Sequence, residues 1–140
     1  MLKYVCLSDI NQEIKDLRTQ VFVIEQKIDP KLEIQSDEYN YLHLCLYQDD
    51  ELVAYARAKA QGNVMFLGRI LVKKEYRGQG LGAKIMHYCE KVAQDNNCQA
   101  LELNAQHQAI GFYQKIGFEQ VGEFFWEAGK KHKKMKKFLD

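Results

Sequence analysis

The segment Arg77–Gly82, which reads RGQGLG, holds three of the nine glycines of this 140-residue chain within six positions. Glycine loses more conformational freedom on folding than other residues, so this concentration needs a structural reason. The segment follows an apolar run and precedes a helical pattern. N–H groups at a helix start lack intrahelical acceptors and carry partial positive charge, and glycines let an anion approach them closely. Together with the cationic Arg77, the segment predicts an anion-binding turn.

Two common phosphate-binding motifs do not match this segment. A P-loop requires Gly-Lys followed by Ser or Thr, and the dinucleotide fingerprint spaces its glycines differently. A tight strand-to-helix turn that binds no ligand is the alternative, and the motif alone leaves it open.

The elements that precede the turn follow from hydrophobic periodicity. LKYVC near the N-terminus predicts a short strand, and we expect Asp9 to cap the next helix with Gln12 as its capping partner. Apolar residues at helical spacing predict the buried face of that helix: Ile10, Ile14, Leu17 and Val21. The stretch from Glu25 to Tyr41 has no clean period and contains the only proline, which predicts a loop or a short helical turn.

Three antiparallel strands are predicted next. HLCLYQ and LVAYARAKA flank the polar turn DDE and indicate a hairpin. A second turn at Gly62–Asn63 leads into the apolar run VMFLGRILV, which suits a central strand. Gly68, in the middle of this run, indicates a bulge or a close backbone approach.

The second half of the chain alternates helix and strand. Helical spacing predicts the helix after the glycine turn, ALELNA predicts a strand, and a second helix carries Phe112 and Tyr113 and ends at Gly117. Two more strands finish the chain. This order predicts one α/β domain over residues 1–140, with a mixed, mostly antiparallel sheet, one parallel central strand pair and flanking helices.

The composition excludes several functional classes. Hydrophobic residues make up 46% and charged residues 28%, and the net charge is +1, so no overall field favours nucleic acid or membrane. The longest apolar runs are about five residues, far short of the roughly 20 of a membrane span. The N-terminal residues lack secretory signal features. We expect a cytoplasmic protein with neither nucleic-acid nor membrane partners.

The four cysteines predict no special chemistry. Cys6, Cys45, Cys89 and Cys98 form no CxxC pair, and no histidine lies at zinc-finger spacing from them. We interpret them as small buried hydrophobic residues in a reducing compartment, and we expect no metal site.

Longer sequence matches suggest a family. Arg77-x-x-Gly80-x-Gly82 after RILV, and AIGFYQKIGF some thirty residues later, resemble the GCN5-related N-acetyltransferase (GNAT) family. The resemblance covers nearly the whole chain. RTQVFVIEQ, LNAQHQAIGFYQKIGF and FFWEAGKKHKKM further resemble the small bacterial ElaA-like branch of that family.

The resemblance implies an N-acetyltransferase that uses acetyl-coenzyme A and transfers the acetyl group to an amine by direct attack on the thioester. It implies that backbone groups of Ile70, Leu71 and Val72 contact the pantetheine arm, and that Phe112 lies beside the thioester. The residues implied at the pyrophosphate are Arg77, Gly78, Gln79, Gly80, Leu81 and Gly82. Gln106 stands where many relatives have asparagine, and it can make the same amide contact from a longer arm.

Tyr113 matches the frequent general acid of the family. The reaction needs a neutral amine, a donor such as a strand N–H for the oxyanion, and a proton for the departing thiolate. A phenol with an ordinary pKa near 10 is protonated at neutral pH and can supply that proton. The alternative for Tyr113 is a core aromatic residue on an amphipathic helix.

The general base is not assigned by the sequence. The candidates are Glu25, Glu33, Asp37, His43 and His107. We interpret the carboxylates as solvated surface charges, His43 as a half-buried strand residue and His107 as a polar residue at a helix start. The irregular stretch from Glu25 to Tyr41 is expected to form part of the acceptor cleft, where its carboxylates would suit a cationic amine.

The lysine-rich tail GKKHKKMKKF has six lysines in eight positions. It is either a nucleic-acid patch or an edge strand whose lysines prevent aggregation. We favour the edge strand, because the net charge is +1 and no aromatic residue interleaves with the lysines.

The alternative to an enzyme is a non-catalytic acyl-coenzyme A-binding or interaction protein on the same fold, because a fold does not prove chemistry. The sequence leaves open whether the acceptor is a small-molecule or a peptide amine, and whether the chain is a monomer or a homodimer.

Overall fold

A mixed seven-stranded sheet organises the protein, and the computed structural model describes all residues, 1–140. The strands are β1 (Leu2–Leu7), β2 (Leu42–Gln48), β3 (Glu51–Gln61), β4 (Val64–Val72), β5 (Ala100–Gln106), β6 (Glu119–Glu127) and β7 (Lys130–Phe138). Their order in the sheet is β1-β2-β3-β4-β5-β7-β6. Only β4 and β5 are parallel, and every other neighbouring pair is antiparallel. The predicted mixed sheet with one parallel pair is confirmed.

Four α-helices cover the sheet. They are α1 (Gln12–Arg18), α2 (Pro30–Glu33), α3 (Leu81–Asp95) and α4 (Ile110–Lys115). A π-helical segment, Thr19–Glu25, continues α1, and 3₁₀ turns occupy Glu38–Asn40, Lys74–Tyr76 and His107–Ala109. The stretch from Glu25 to Tyr41 thus consists of short helical turns, as predicted. No helix is both long and apolar enough to cross a bilayer.

Each face of the sheet has its own hydrophobic cluster. On one face, Leu81, Ile85 and Cys89 of α3 pack against alternate residues of the central strands. On the other face, Ile14 and Leu17 of α1 pack with residues that include Tyr55 of β3. Alternate residues of a strand point to opposite faces, so β3 supplies alanines to the first cluster and Tyr55 to the second.

Two local predictions were wrong. Asn11, not Asp9, caps α1, because its side-chain oxygen accepts the N–H of Ile14 at 2.9 Å. Cys6 is exposed, whereas Cys45, Cys89 and Cys98 are buried as expected. The exposure of Cys6 follows from its position on β1, an edge strand whose burial pattern is mostly open.

The lysine-rich tail is not an edge strand. It forms β7, which lies between β5 and β6, and β6 is the edge. Met135 and His132 of β7 are buried. On the same strand, Lys136 forms an ion pair with Glu102, and Lys137 forms one with Glu90. Pairing on both sides uses the main-chain groups of β7, so the lysines do not guard an open edge.

Candidate active site

The parallel strands β4 and β5 separate halfway along their length. They pair only where Val64–Leu67 of β4 lies beside Ala100–Leu103 of β5. Beyond this point β4 continues to Val72 and β5 to Gln106 without a partner on the facing edges. Main-chain donors and acceptors of residues 68–72 therefore face an opening in the sheet instead of a neighbouring strand.

A bulge distorts β4 beside this opening. Two residues of β4, Arg69 and Ile70, lie opposite the single residue Ala56 of β3. Arg69 has a φ of 50°, a left-handed conformation that residues with a side chain rarely adopt. Bulges often occur next to active sites, where they redirect a side chain or a main-chain group. The bulge indicated by Gly68 in the sequence is confirmed one residue further along.

A cavity of about 560 Å³ occupies the opening. Its walls come from both sides of the sheet: Tyr113 of α4 from one face, and Arg57, Arg69 and Glu33 from the other. Residues of the Glu25–Tyr41 stretch also line it, among them Gln26, Ile28, Leu32, Gln35 and Tyr41. The size is sufficient for a small ligand that reaches the β4 edge.

The glycine turn lies between the end of β4 and the start of α3. Gly78 and Gly80 both have a φ of 80°, and no atom lies within 4 Å of the place where either would carry a Cβ. The N–H groups of Gly78, Gln79 and Gly80 donate no hydrogen bond within the protein, and the first bond of α3 runs from Lys84 N to Gly80 O at 3.2 Å. The turn thus presents free N–H groups at a helix start, where an anion can bind them.

Gly82 and Arg77 also contribute to the structure around the turn. A Cβ on Gly82 would approach Cζ of Phe112 to 3.2 Å, so glycine allows α3 and α4 to pack closely. Arg77 is held by Glu25, whose carboxylate accepts from both terminal nitrogens of the guanidinium at 2.9 and 3.1 Å. The positive charge of Arg77 is therefore balanced within the protein, and any affinity of the turn for an anion rests first on its N–H groups.

Tyr113 lies on α4 and lines the cavity. Its ring packs edge-on against Phe112 and Phe118, with centroid distances of 5.1 and 5.7 Å, and the residue is 7% exposed. Burial raises the pKa of its phenol above the ordinary value, because a phenolate would be poorly solvated there. The hydroxyl is therefore protonated at neutral pH, and it donates no hydrogen bond to another protein group.

Gln106 ends β5 at the opening of the sheet. Its side-chain amide donates to Oε1 of Gln26 at 2.7 Å, and its Oε1 accepts from Gln108 at 2.6 Å. The Gln106 side chain thus connects the end of β5 to the segment that follows the π-helical turn. Gln26, Gln106 and Gln108 all line the cavity.

A largely buried cluster of five charged residues lies on the side of the cavity opposite Tyr113, and three of its members, Glu33, Arg57 and Arg69, line the cavity. Arg18, which is fully buried, donates to Oε2 of Glu33 and to both carboxylate oxygens of Glu38, at distances of 2.7 to 2.9 Å. Arg57 donates to Glu38 at 3.1 Å, and Arg69 donates to Glu33 at 2.8 Å. The interpretation of Glu33 as a solvated surface charge was wrong, because it is 1% exposed and bound by two arginines.

The other candidate bases lie in different environments. Glu25 is paired with Arg77, Asp37 does not line the cavity, and His107 is exposed. His43 is fully buried, not half-buried as expected, and its ring nitrogens bond to the Tyr55 hydroxyl and the Glu38 carbonyl. Burial lowers the pKa of His43, so it is a neutral structural residue behind the cavity wall.

His132 of β7 lines the cavity and was missed by the sequence analysis. Its Nδ1 lies 2.9 Å from the carbonyl oxygen of Lys130. A carbonyl can only accept, so Nδ1 carries the proton and Nε2 carries the lone pair of the neutral ring. The available signal for His132 was a single histidine between two lysine pairs in the lysine-rich tail.

Comparisons with known proteins identify the family of the chain. The model of the acetyltransferase (GNAT) domain matches residues 7–139. YjcF of Bacillus subtilis, named as an uncharacterized N-acetyltransferase, is 35% identical over 130 residues that cover 90% of this chain and 93% of that protein. ElaA of Escherichia coli is 34% identical over 122 residues, which cover 83% of this chain and 79% of ElaA.

Solved structures show the same similarity. The crystal structure of E. coli ElaA superposes with a TM-score of 0.84 at 29% identity, covering 98% of this chain and 99% of ElaA. An acyl-CoA N-acyltransferase from Pseudomonas aeruginosa gives a TM-score of 0.84 at 28% identity, covering 98% and 99% of the two chains. The chain belongs to the GNAT family of acyl-CoA N-acyltransferases, and the resemblance to ElaA that the sequence indicated is confirmed.

Proposed function

We propose that the protein transfers an acetyl group from acetyl-coenzyme A to the amine of a small molecule or peptide, by direct attack of the amine on the thioester. One observation carries this proposal: the unpaired edge of β4 borders a cavity into which Tyr113 brings a protonated phenol. A strand edge can bind an extended pantetheine arm, and a protonated acid beside it can assist the departure of a thiol.

The residues present fit the cofactor. Ile70, Leu71 and Val72 lie on the free edge of β4, where they offer main-chain groups to the amides of the pantetheine arm. The N–H groups of Gly78, Gln79 and Gly80 have no protein acceptor, and Gly78 and Gly80 have no side chain that would keep a pyrophosphate away from them. In this arrangement the thioester reaches the cavity from the side of α3 and α4.

The proposed chemistry is one acyl transfer. The lone pair of the neutral amine forms a bond to the thioester carbon, a β4 N–H near Leu71 stabilises the oxyanion, and the C–S bond breaks as the amide forms. Tyr113 donates its proton to the departing sulfur. The nitrogen loses one proton during the attack, and this proton needs an acceptor in the cavity.

His132 is proposed as that acceptor. Its Nδ1–H is fixed by the Lys130 carbonyl, so its Nε2 is available to take a proton, either directly or through water. Among the groups lining the cavity, Glu33 is already engaged by Arg18 and Arg69, and Glu127 is exposed. A ring oriented by a carbonyl at one nitrogen and free at the other is a common arrangement for a general base.

A coenzyme A-release assay tests the proposal. The purified protein is mixed with acetyl-coenzyme A and a panel of amines that includes amino acids, amino sugars, polyamines and short peptides, and free thiol is measured. We expect thiol release that depends on at least one amine, with the acetylated product confirmed by mass spectrometry. Tight binding of acetyl-coenzyme A without amine-dependent release across the panel would favour a non-catalytic acyl-coenzyme A-binding protein instead.

A further inference from the structure

The cluster of charged residues on the side of the cavity opposite Tyr113 carries an excess of positive charge. The buried cluster contains three guanidinium groups, from Arg18, Arg57 and Arg69, and two carboxylates, from Glu33 and Glu38. The neighbouring His43 adds no charge, because burial lowers its pKa. The cluster therefore carries one more positive than negative charge.

The uncompensated donors belong to the two arginines that line the cavity. Nε of Arg57 is buried and has no hydrogen-bond partner, although its terminal nitrogens bond to Glu38 and to Oε1 of Gln35. The guanidinium of Arg57 is also fixed over the ring of Tyr41, with Cζ 4.1 Å from the centroid. Its remaining donor, Nε–H, is thus held in one place, 3.7 Å from the position that a Cβ on Gly68 would occupy.

Arg69 provides the second group of free donors. Its Nε and Nη2 bond to Glu33 and to the carbonyl of Leu32, while its Nη1 donates no hydrogen bond within the protein. Burial, together with the charges of Arg57 and Arg18, lowers the pKa of Arg69. The bulge in β4 places this side chain at the cavity, one residue before the segment proposed to bind the pantetheine arm.

A buried guanidinium donor without a partner is costly, and a ligand oxygen can relieve that cost. Glu33 has one unpaired oxygen in the same wall, but its carboxylate already neutralises part of the arginine charge. Glu127, the other carboxylate at the cavity, is exposed and lies on the β6–β7 side. The balance of charge at the wall thus favours an anionic group over the cationic amine suggested by the sequence.

We infer that the acceptor is an amine that also carries an oxyanion, a carboxylate or a phosphate, and that Arg57 and Arg69 bind this group. The inference rests on the proposed function and specifies its substrate class. Binding of the oxyanion at this wall would orient the amine towards the thioester side of the cavity, where Tyr113 lies.

Matched pairs of amines test the inference. Each pair differs only in the anionic group: an amino acid and its amide for the carboxylate, and glucosamine 6-phosphate and glucosamine for the phosphate. We expect at least one anionic member to show kcat/KM about tenfold or more above its neutral partner. Equal or better use of the neutral members would overturn the inference while leaving the proposed acetyl transfer intact.

Variants and direct binding complete the test. Arg69→Gln should reduce the preference for the anionic member to within about twofold, Arg69→Lys should keep part of it, and Lys91→Gln, the same charge change on an exposed residue of α3, should leave it unchanged. A thermal melt shows whether each variant is folded. Calorimetry with the wild-type protein and coenzyme A measures binding of each amine without turnover. Tighter binding of anionic members without turnover would support the inference and contradict the proposed function, and equal binding of both members would overturn the inference.

Discussion

The guanidinium of Arg77 and the carboxylate of Glu25, 52 positions apart in the chain, form a bidentate ion pair beside the glycine turn. Arg77 also donates from Nε to the carbonyl of Val72, the last residue of β4. The side chain therefore ties three elements together: the end of the π-helical segment, the end of β4 and the turn that precedes α3. This geometry suggests that Arg77 positions the turn.

If Arg77 acts by positioning the turn, loss of its ion-pair partner Glu25 should weaken cofactor binding as much as loss of the guanidinium itself. We expect Arg77→Gln and Glu25→Gln each to weaken acetyl-coenzyme A binding, by about three- to tenfold, and the double variant to be no worse than either single variant. Calorimetry at fixed ionic strength provides the affinities. Direct contact between the guanidinium and the cofactor would give the opposite pattern, in which Arg77→Gln weakens binding and Glu25→Gln does not.

The glycine turn is tested by a pair of equally strained variants. Gly80 and Gly62 both have positive φ and open space at the Cβ position, so valine at either one costs a similar strain, about 1 to 2 kcal/mol. Only Gly80 lies beside the free N–H groups proposed to bind the pyrophosphate. We expect Gly80→Val to weaken acetyl-coenzyme A binding about tenfold or more, because a branched side chain would block the anion.

Gly62→Val is the control for that experiment. It should lower the melting temperature about as much as Gly80→Val and leave the calorimetric affinity unchanged. Equal cofactor affinity in both folded variants would place the pyrophosphate elsewhere.

Tyr113→Phe removes the proposed acid and keeps the packing of the ring against Phe112 and Phe118. General acid catalysis contributes roughly 10²- to 10⁴-fold, so kcat should fall by about that factor while acetyl-coenzyme A affinity stays nearly constant. Tyr88→Phe, on α3 and away from the cavity, is the matched control and should keep the wild-type kcat. A kcat within about twofold of wild type in folded Tyr113→Phe would leave Tyr113 as a core aromatic residue and require another proton donor.

His132→Gln tests the proposed base. It keeps a polar side chain on β7 and removes the nitrogen that accepts the proton, so we expect kcat to fall about tenfold or more with little change in cofactor affinity. His87→Gln, on the exposed side of α3, provides the control. Imidazole added to His132→Ala should restore part of the lost rate, a rescue that a purely structural histidine would not show.

The buried cluster makes stability sensitive to acid. Burial by itself would raise the pKa of Glu38, but hydrogen bonds from Arg18 and from the N–H of Gln35 reverse this effect and lower the pKa to about 2, from the ordinary 4.5. Above the ordinary value the ionised carboxylate is present in both the folded and the unfolded chain. As pH falls below 4.5, only the unfolded chain gains the proton. The stabilisation, on the order of 3 kcal/mol, is therefore lost between about pH 4.5 and 2.

Chemical denaturation at pH 7, 5 and 3 measures this effect. Glu38→Gln should be less stable at pH 7 by about 3 to 5 kcal/mol, because Arg18 and Arg57 lose a buried partner, and it should show a smaller further loss in acid. Glu119→Gln, on the exposed face of β6, should behave like the wild type. A parallel loss in acid for wild type and Glu38→Gln would show that other carboxyl groups set the acid stability.

Local patterns were sufficient for much of the fold. The β2–β3 hairpin follows from two apolar runs around Asp49–Asp50, and the glycine turn follows from three glycines at a helix start. The parallel pair β4–β5 follows from a strand, a helix and a strand in succession, because such a crossover returns the chain in the same direction. These features depend on residues close together in the chain, so the sequence alone could indicate them.

The wall of the cavity depends on distant residues. Arg18 is the last residue of α1 and Glu33 lies 15 positions later in a charged stretch, and only the tertiary structure shows that they are buried together, 2.7 Å apart. A charged side chain is buried when a partner and hydrogen bonds replace its water, and the chain pattern does not reveal that partner. Arginines within the apolar runs of β3 and β4 were the available signal.

The same distinction applies to the last strand and its histidine. The sequence determined that the lysine-rich tail is a strand, and the tertiary structure decided that this strand lies between β5 and β6, with His132 beside the end of β5. A strand's propensity is local, whereas its neighbours in a sheet are chosen by the packing of all strands together. The sequence by itself therefore determined the family, the parallel crossover and the glycine turn before α3. Only the tertiary structure decided which charges and which histidine reach the cavity, because their positions depend on contacts between segments far apart in the chain.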